Sequence, residues 1–465
     1  MPGLFATLSA TAKALEAQSY GLDVTGQNIA NVGTAGYARR EVILTTTAAP
    51  DPFSMGAGVQ VSGVTATRDR LLERRLQLEK PSETREGAIA DALGVVETMI
   101  GTSGSSIDKQ MSNFFDAASR LSADPTAATA RQDFLLAAQN LAGSFRDMAS
   151  RLASAQQAAD ARVRGNVDEI NGLTAQIARM NNQLGQVDPN GPQALTLKDQ
   201  EKVALDRLTA LIDVTAIERA DGGVDLTVGN GHPLVIGSDS IALSAPQTGI
   251  AGFVDVTTNG NSILTEVTGG EIAGNIQVRD QFVKDYQTRL EALATQFVTS
   301  SNAVHTAGVD REGHAGGALF TTVPASGIAA SMDVSTAIAG TATTAANLNK
   351  IAAGSIVGAP GDNQAARDMA NLRDALTMDS GRATFSDSWG QLAYKVGNDT
   401  QAAKEEQASR QAIVNQVQSL SDAVSGVSID EESMTMLKYQ RAYEANAQFF
   451  RAIDSTLTTL FSIVN

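Results

Sequence analysis

No cysteine occurs among the 465 residues, which excludes disulfide bonds, thiolate catalysis and any cysteine-based zinc site. Histidine is nearly missing as well, with 3 residues, and aromatic side chains make up only 5 % of the chain, with a single tryptophan at Trp389. Packing therefore rests on Ala, Leu, Val and Ile, a composition suited to helices. Positive charge is also short. The 35 Lys and Arg face 51 Asp and Glu, leaving a net charge of −16. Binding a polyanion needs clustered Lys and Arg, so no nucleic-acid partner is expected, and anionic membrane surfaces are disfavoured for the same reason. Arg68, Arg70, Arg74 and Arg75 interleave with Asp69 and Glu73 and read as a solvated helix face. No stretch reaches the ~18 apolar residues of a membrane span. The start, MPGLFATLSATAKAL, lacks a basic head followed by a continuous apolar run, so no cleaved signal peptide is expected.

What the chain does have is heptad spacing at both ends. Leu8, Leu15, Leu22 and Ile29 recur every seventh position, predicting a helix over residues 4–29, roughly 40 Å long at 1.5 Å per residue. The second seam, Leu4, Thr11, Gln18 and Thr25, is weak, so the stripe is too narrow to make a core by itself. Near the other end, Ile429, Met436, Tyr443, Phe450 and Leu457 repeat every seventh residue, interleaved with Tyr439, Asn446, Ile453 and Leu460. That is an a/d pattern over four heptads and predicts a coiled-coil-like helix. Ser428 followed by Glu431 fits a capping box at its start.

Between the ends, Ile89, Leu93, Val96 and Ile100 form one helical stripe, closed by GTSGSS. Ile107, Met111, Phe114, Ala118 and Leu121 form the next, closed by SADPT. A long helix is predicted from about Ala127 to Leu184, carrying Val163, Val167, Ile170, Leu173, Ile177, Met180 and Leu184, and ended by DPNGP. The character changes near Asp213. VDLTV and PLVI, separated by GNGH, are strand and hairpin signals. A helix returns from about Val278 to Val304, a second Gly/Ala/Thr-rich stretch follows, and helices resume near Ala365.

This order predicts a mainly α protein with a β-rich insert, an α+β arrangement whose discontinuous rod-like helical trunk is formed by both chain ends, with a small inserted β domain. The expected divisions are residues 1–65 with 426–465 as a terminal coiled-coil-like helical domain, 66–213 with 271–304 and 365–425 as a helical trunk, and 214–270 with 305–364 as an inserted β-rich outer domain. The two ends of the chain should lie together.

Chemistry-bearing motifs are scarce. There is no Gly-x-x-x-x-Gly-Lys, no His-Glu-x-x-His and no Gly-x-Ser-x-Gly, and GAGVQVSG at Gly56 has the wrong spacing for a dinucleotide loop. His305, Asp310 and His314 in NAVHTAGVDREGHAGG could serve a secreted hydrolase or a metal-binding surface protein. They offer too few zinc ligands, however, and their glycine-rich setting reads as a turn. His232 in GNGHPL reads as a hairpin residue. No catalytic residue, cofactor or metal site is expected.

Behind the first helix comes NIANVGTAGYARR, residues 28–40, and near the other end YQRAYEANAQFFRAIDSTLTTLFSIVN. These resemble the terminal signatures of the bacterial flagellar rod, hook and hook-associated proteins. The middle segments GVQVSGVTATRDRLLERRLQLEK, FFDAASRLSADPTAATARQDFLLAAQNLA and GGEIAGNIQVRDQFVKDYQTRLEALATQFVTSSNAVHTAGVDREGHAGG are similar, in order and character, to the hook-associated protein 1 branch of that family. A plain hook protein turns β-rich soon after its first helix, whereas this chain stays helical for well over a hundred residues, which argues against the alternative of a hook or distal rod protein. Ala35 stands where the family turn usually carries Pro, and Gly36 keeps the positive-φ option.

The resemblance implies a structural, non-enzymatic protein, secreted without a cleaved signal peptide to the extracellular flagellum, where its copies form a ring or tube between hook and filament. It implies flagellar hook protein and hook-associated protein 3 as neighbours, and a cytoplasmic export chaperone on the C-terminal helix. Isolated amphipathic helices are marginal in water, so both ends are expected to be disordered in the free subunit and to fold when subunits stack. The expected subunit-interface residues are Leu8, Leu15, Leu22, Asn28, Ile29, Asn31, Gly36, Tyr37, Met436, Tyr439, Tyr443, Phe450, Ile453, Leu457 and Leu460. Asn28 and Asn31 would bond the turn backbone and Tyr37 would anchor it.

Overall fold

The fold is taken from a computed structural model that describes residues 2–47, 58–101, 106–189, 191–249, 252–323 and 327–464. Helix α1, Pro2–Ala30, contains the predicted 4–29 and ends one residue beyond it, so the chain turns after Ala30. The next elements are strands: β1, Arg40–Thr46, and β2, Val59–Ala66, pair antiparallel from Arg40↔Ala66 to Thr46↔Val59, with a bulge between Ile43 and Leu44. This hairpin lies inside the segment expected to be purely helical. VQVSGVTA carries the period-2 pattern of a half-buried strand, whereas REVILTT holds its apolar residues in one run, Val42 to Leu44, and is mostly exposed.

Four helices follow among the described residues. Asp69 caps α2, Arg70–Ile100, its carboxylate accepting the N–H groups of Leu71 and Leu72. Ser106 caps α3, Ile107–Ala123. The helix α4, Ala128–Leu184, has 57 residues, or about 85 Å at 1.5 Å per residue. The helix α5, Pro192–Leu211, starts on Pro192, whose missing N–H has no helical partner to lose at that position.

A four-stranded meander comes next: β3, Val214–Glu218; β4, Val224–Val228; β5, His232–Ile236; and β6, Asp239–Ser240, in that order across the sheet. Three two-residue strands, β7 Leu243–Ser244, β8 Thr257–Thr258 and β9 Asn261–Ser262, make a small second sheet. Helix α6, Gly270–Gln277, passes through a π-helical turn, Val278–Phe282, into α7, Val283–Ala307. Short pieces follow: β10 Phe320–Thr321, α8 Ile328–Ser331, β11 Asp333–Val334, α9 Thr336–Ala339 and α10 Gln364–Asn371. Thr384 and Asp387 form a capping box on α11, Phe385–Ser425. The last helix, α12, is Ile429–Val464, with the Ser428 hydroxyl accepting the Glu431 N–H at 3.5 Å.

Apolar side chains sort into two large cores. In one, α2, α3, α4, α7 and α11 surround a knot of seven phenylalanines: Phe114, Phe115, Phe134, Phe145, Phe297, Phe320 and Phe385. That is half of the 14 in the chain, so the scarce rings are spent in one place, where T-shaped contacts such as Phe114–Phe297 at 5.4 Å add to burial. In the other, Val163, Val167, Ile170 and Ile177 of α4 and Leu205, Leu208 and Leu211 of α5 pack on Leu226, Val228, Leu234 and Val235 of the meander.

This sorting divides the chain differently from expectation in one respect. Residues 305–364 were grouped with 214–270 in one β-rich insert, but Leu319, Phe320, Ala329, Met332, Val334, Ile338 and Ile351 belong to the phenylalanine-rich helical core. The Gly/Ala/Thr-rich composition signalled irregular chain, and the structure uses that chain as a lid on helices. The ends do lie together: α1 packs along α12.

Candidate assembly site at the two chain ends

The segment after α1 is positioned by one side chain. Asn28 is buried at the last turn of α1 and uses its whole amide. Nδ2 donates to the Arg40 carbonyl (2.9 Å) and to Glu432 Oε2 (2.9 Å), while Oδ1 accepts from the Arg40 N–H (3.0 Å) and the Tyr37 hydroxyl (2.8 Å). No other residue type offers two donors and an acceptor of this reach. Asn31 closes the turn locally, donating to the Gln27 carbonyl at 2.9 Å and accepting from Thr34 at 3.1 Å. Gly36 has φ +77°, and a Cβ there would stand 2.6 Å from Val203 and 2.8 Å from the Asp199 carbonyl. It is glycine for both conformation and space. Burial pushes the Tyr37 phenol above its usual pKa, consistent with its donating to Asn28.

Charges extend this centre. Glu432, at the start of α12 and nearly inaccessible, accepts from Arg39 Nε at 2.7 Å as well as from Asn28. Asp199 on α5 receives Arg40 Nη2 at 2.7 Å on one oxygen and Arg68 Nη2 at 2.6 Å on the other. Arg68 also donates to the Gly36 carbonyl (3.1 Å) and to Glu73 (3.0 Å), so it is a half-buried tie and not part of a solvated face. The Arg39 N–H reaches the Ser425 carbonyl at 3.0 Å. Four elements distant in sequence, α1, the hairpin, α5 and α12, are thereby joined through paired and hydrogen-bonded charge, the condition under which buried charge is tolerated.

The apolar contact between the ends differs from the predicted seam. Leu8, Leu15, Leu22 and Ile29 are only half-buried, whereas Thr11, Ala17, Gly21, Val24, Thr25 and Asn28 are buried. Of the seam judged weak only Thr11 and Thr25 are buried, with Leu4 and Gln18 half-buried, and small residues beside it let the helices approach. A Cβ on Gly21 would lie 2.6 Å from the Tyr439 ring. The two threonines return their hydroxyls to the carbonyls of Thr7 and Gly21, each at 2.8 Å. Val24 meets Val64 of the hairpin and Leu195 of α5. On α12, Ile453 and Leu457 are buried, Met436, Tyr439 and Phe450 are half-buried, and Tyr443 and Leu460 are exposed. Further apolar side chains on α12 face outward, with Met434 65 % and Phe449 52 % exposed.

The histidine cluster takes a different form. His305 is buried, with Nδ1 2.6 Å from the Gly317 carbonyl and Nε2 accepting the Ala352 N–H at 3.0 Å, so both ring nitrogens are committed to backbone. Burial lowers its pKa. Asp310, Glu312 and His314 do lie within 4.8 Å of one another, but Lys350 Nζ sits on both carboxylates at 3.2 and 2.7 Å. The group reads as an ion-paired turn beneath the helical core.

With this geometry in view, comparison with known proteins is direct. Residues 93–320 match the family described as flagellar hook-associated protein FlgK helical domain, and residues 421–463 match flagellar basal body rod FlgEFG protein C-terminal. Flagellar hook-associated protein 1 of Bacillus subtilis (strain 168) is 26 % identical over 98 % of this chain and 98 % of its own length. The protein of that name from Escherichia coli (strain K12) is 24 % identical over 97 % of this chain and 98 % of its length. This chain belongs to the flagellar hook-associated protein 1 family. The structure of the flagellar hook junction protein FlgK from Burkholderia pseudomallei shares the fold, with a TM-score of 0.65, 16 % identity and coverage of 76 % of this chain and all of that one. In this chain, the signature from Asn28 to Arg40 is what binds the terminal pair to α5.

Arg39, Arg40, Arg68, Asp199, Gly21 and Glu432 were missed as site residues by sequence reasoning. Arg39 and Arg40 stood inside the quoted signature. Glu432 pairs with Asn28 across 404 positions, and nothing local in a sequence marks such a partner.

Proposed function

We propose that this protein is a structural subunit of the bacterial flagellum that forms the junction between hook and filament, its copies joined through their terminal helices. One observation carries the reading. The two chain ends pair through α1 and α12 around the Asn28–Glu432 centre, and α12 still presents Met434, Leu437, Tyr443, Phe449 and Leu460 to solvent. Burial of apolar surface is worth about 25 cal/mol per Å², so a second copy covering that face would gain what the single chain leaves unused. Head-to-tail contact between unlike faces builds rings or helical tubes.

On this reading the predicted residues divide by role. Asn28, Asn31, Gly36 and Tyr37 set the direction in which the terminal pair leaves the trunk. Tyr443 and Leu460 supply contact between copies, while Ile453 and Leu457 hold α12 to its own chain. The neighbours are hook protein on one side and hook-associated protein 3 on the other. A cytoplasmic export chaperone shields α12 before assembly, and export proceeds through the flagellar type III apparatus.

Removing residues 453–465 tests this. The shortened protein should keep the melting transition of its helical trunk, yet cells carrying it should shed flagellin into the medium and stop swimming. Normal swimming would refute the role assigned to α12.

A further inference from the structure

The first two turns of α2 carry a face that nothing in the single chain covers. Leu71 and Leu78 are 78 % and 69 % exposed. With Arg74 and Arg75, also exposed, they fall at i, i+3, i+4 and i+7, one side of a helix. The opposite side is occupied, since Leu72 and Leu76 pack against Val414 and Val417 of α11. Arg75 meets Glu79 on its own helix at 3.5 Å, whereas Arg74 has no hydrogen-bond or ion-pair partner among the described residues. Exposed leucines flanking arginines, on a chain of net charge −16, fit a partner that is apolar and acidic.

The first turns of α12 have that chemistry. Asp430 is exposed and, like Arg74, has no partner among the described residues. The Glu431 carboxylate is held only by Arg39, at 3.5 Å. Met434 and Leu437, 65 % and 54 % exposed, follow Asp430 at i+4 and i+7 and share its side of the helix. Both faces begin beside the Asn28 centre. Glu432, on the buried side of α12, is part of that centre, and Arg68, just ahead of α2, is tied to Gly36 and Asp199. From there α2 runs into the trunk, while α12 has its extended contact with α1 alone.

We infer that the outward face of α2 receives the opening turns of α12 from a second copy, with Leu437 packing by Leu71 and Asp430 reaching the Arg74–Arg75 pair. The inference rests on the junction reading and names the surface that the start of α12 meets. Because α2 enters the trunk and α12 leaves it, the two faces meet antiparallel when one copy is displaced along the trunk, as successive subunits of a helical tube are. Charge selects a second copy as the occupant. Copies of −16 each repel elsewhere, and here an unpaired base on one meets an unpaired acid on the next. Exposed ion pairs contribute little energy, so apolar burial drives the contact and the charges set its register.

The chain has no cysteine, so introduced thiols report on nothing else. Cells lacking the native protein are given two full-length copies, one carrying Leu71→Cys and the other Leu437→Cys, and their flagella are treated with a short bismaleimide. A band at twice the subunit mass should appear, and neither variant alone should give it. Arg74→Glu in the first copy, or Asp430→Arg in the second, should weaken the band about fivefold, and the two reversals together should restore it. Restoration distinguishes a lost contact from a misfolded chain, and the melting of each isolated subunit should stay in place because all four positions are exposed. No band from the mixed copies, a band from either variant alone, or a band indifferent to both reversals would overturn the inference. So would a photo-crosslinker at position 71 that captures a different protein. Antibody labelling of the same cells separates the two ideas. Label at the hook–filament boundary without the mixed band sinks the α2–α12 contact alone, whereas no label there sinks the junction reading and the contact with it.

Discussion

Glu201 shows how a single side chain makes the α5 junction sensitive to pH. It is buried, its Oε1 finds no partner among the described residues, and burial, opposed in part by Lys198 and Arg68, raises its pKa from 4.5 to about 7. The acid is protonated in both folded and unfolded chains below pH 4.5. Between pH 4.5 and 7 the unfolded chain ionises first, so stability falls with rising pH, and above 7 the loss is constant. The full shift corresponds to at most about 3.5 kcal/mol at ~1.4 kcal/mol per unit. Glu201→Gln should therefore stabilise the protein at pH 8, leave it unchanged at pH 4, and flatten the intervening slope in urea titrations. At Asn28, replacement by Asp removes both donors and sets a carboxylate against Glu432. Hydrogen exchange in α1 should quicken sharply at pH 7, where the added carboxylate faces Glu432 with no donor between them.

Helices and strands carry a second kind of dependence. Gly21→Val would drive a side chain into the Tyr439 ring. Overpacking of this sort costs about 1–3 kcal/mol, expressed as faster exchange along α1 and α12 with the trunk unaffected. Adding Tyr439→Ala should restore most of the protection. That such a contact went unread in the sequence has a physical cause. The heptad leucines announced a helix, and α1 formed, but periodicity marks apolar faces and says nothing of where small residues permit close approach. The same limit explains the hairpin. REVILTT has no alternation to announce a strand, and Val42 packs against Val24 and Leu195, remote in sequence. By contrast, α2, α3, α4 and α7 were legible to within a few residues at most ends, because each buries a full stripe and ends at Gly, Pro or a polar run. Turn residues Asn28 and Gly36 were readable as turn formers. Their partners on α5 and α12 were not.

Across the whole molecule, two kinds of phenylalanine separate folding from assembly. Phe297 on α7 touches Phe114, Phe115, Phe145, Phe320 and Phe385 and holds several helices at once. Phe297→Ala should cost about 3–5 kcal/mol and lower the main melting transition. Phe449 stands in water on α12, so Phe449→Ala should leave that transition in place and weaken association between copies. Salt decides what drives that association. Copies carrying −16 each repel over a Debye length of about 10 Å at 0.1 M salt, and exposed apolar faces attract only at contact. If burial of the α12 face is the driving term, raising salt from 20 to 500 mM should screen the repulsion and strengthen association, moving sedimentation toward larger species, and Phe449→Ala should blunt the response. Weaker association at high salt would mean instead that ion pairs between copies hold the assembly, and the outward apolar face of α12 would lose its assigned part.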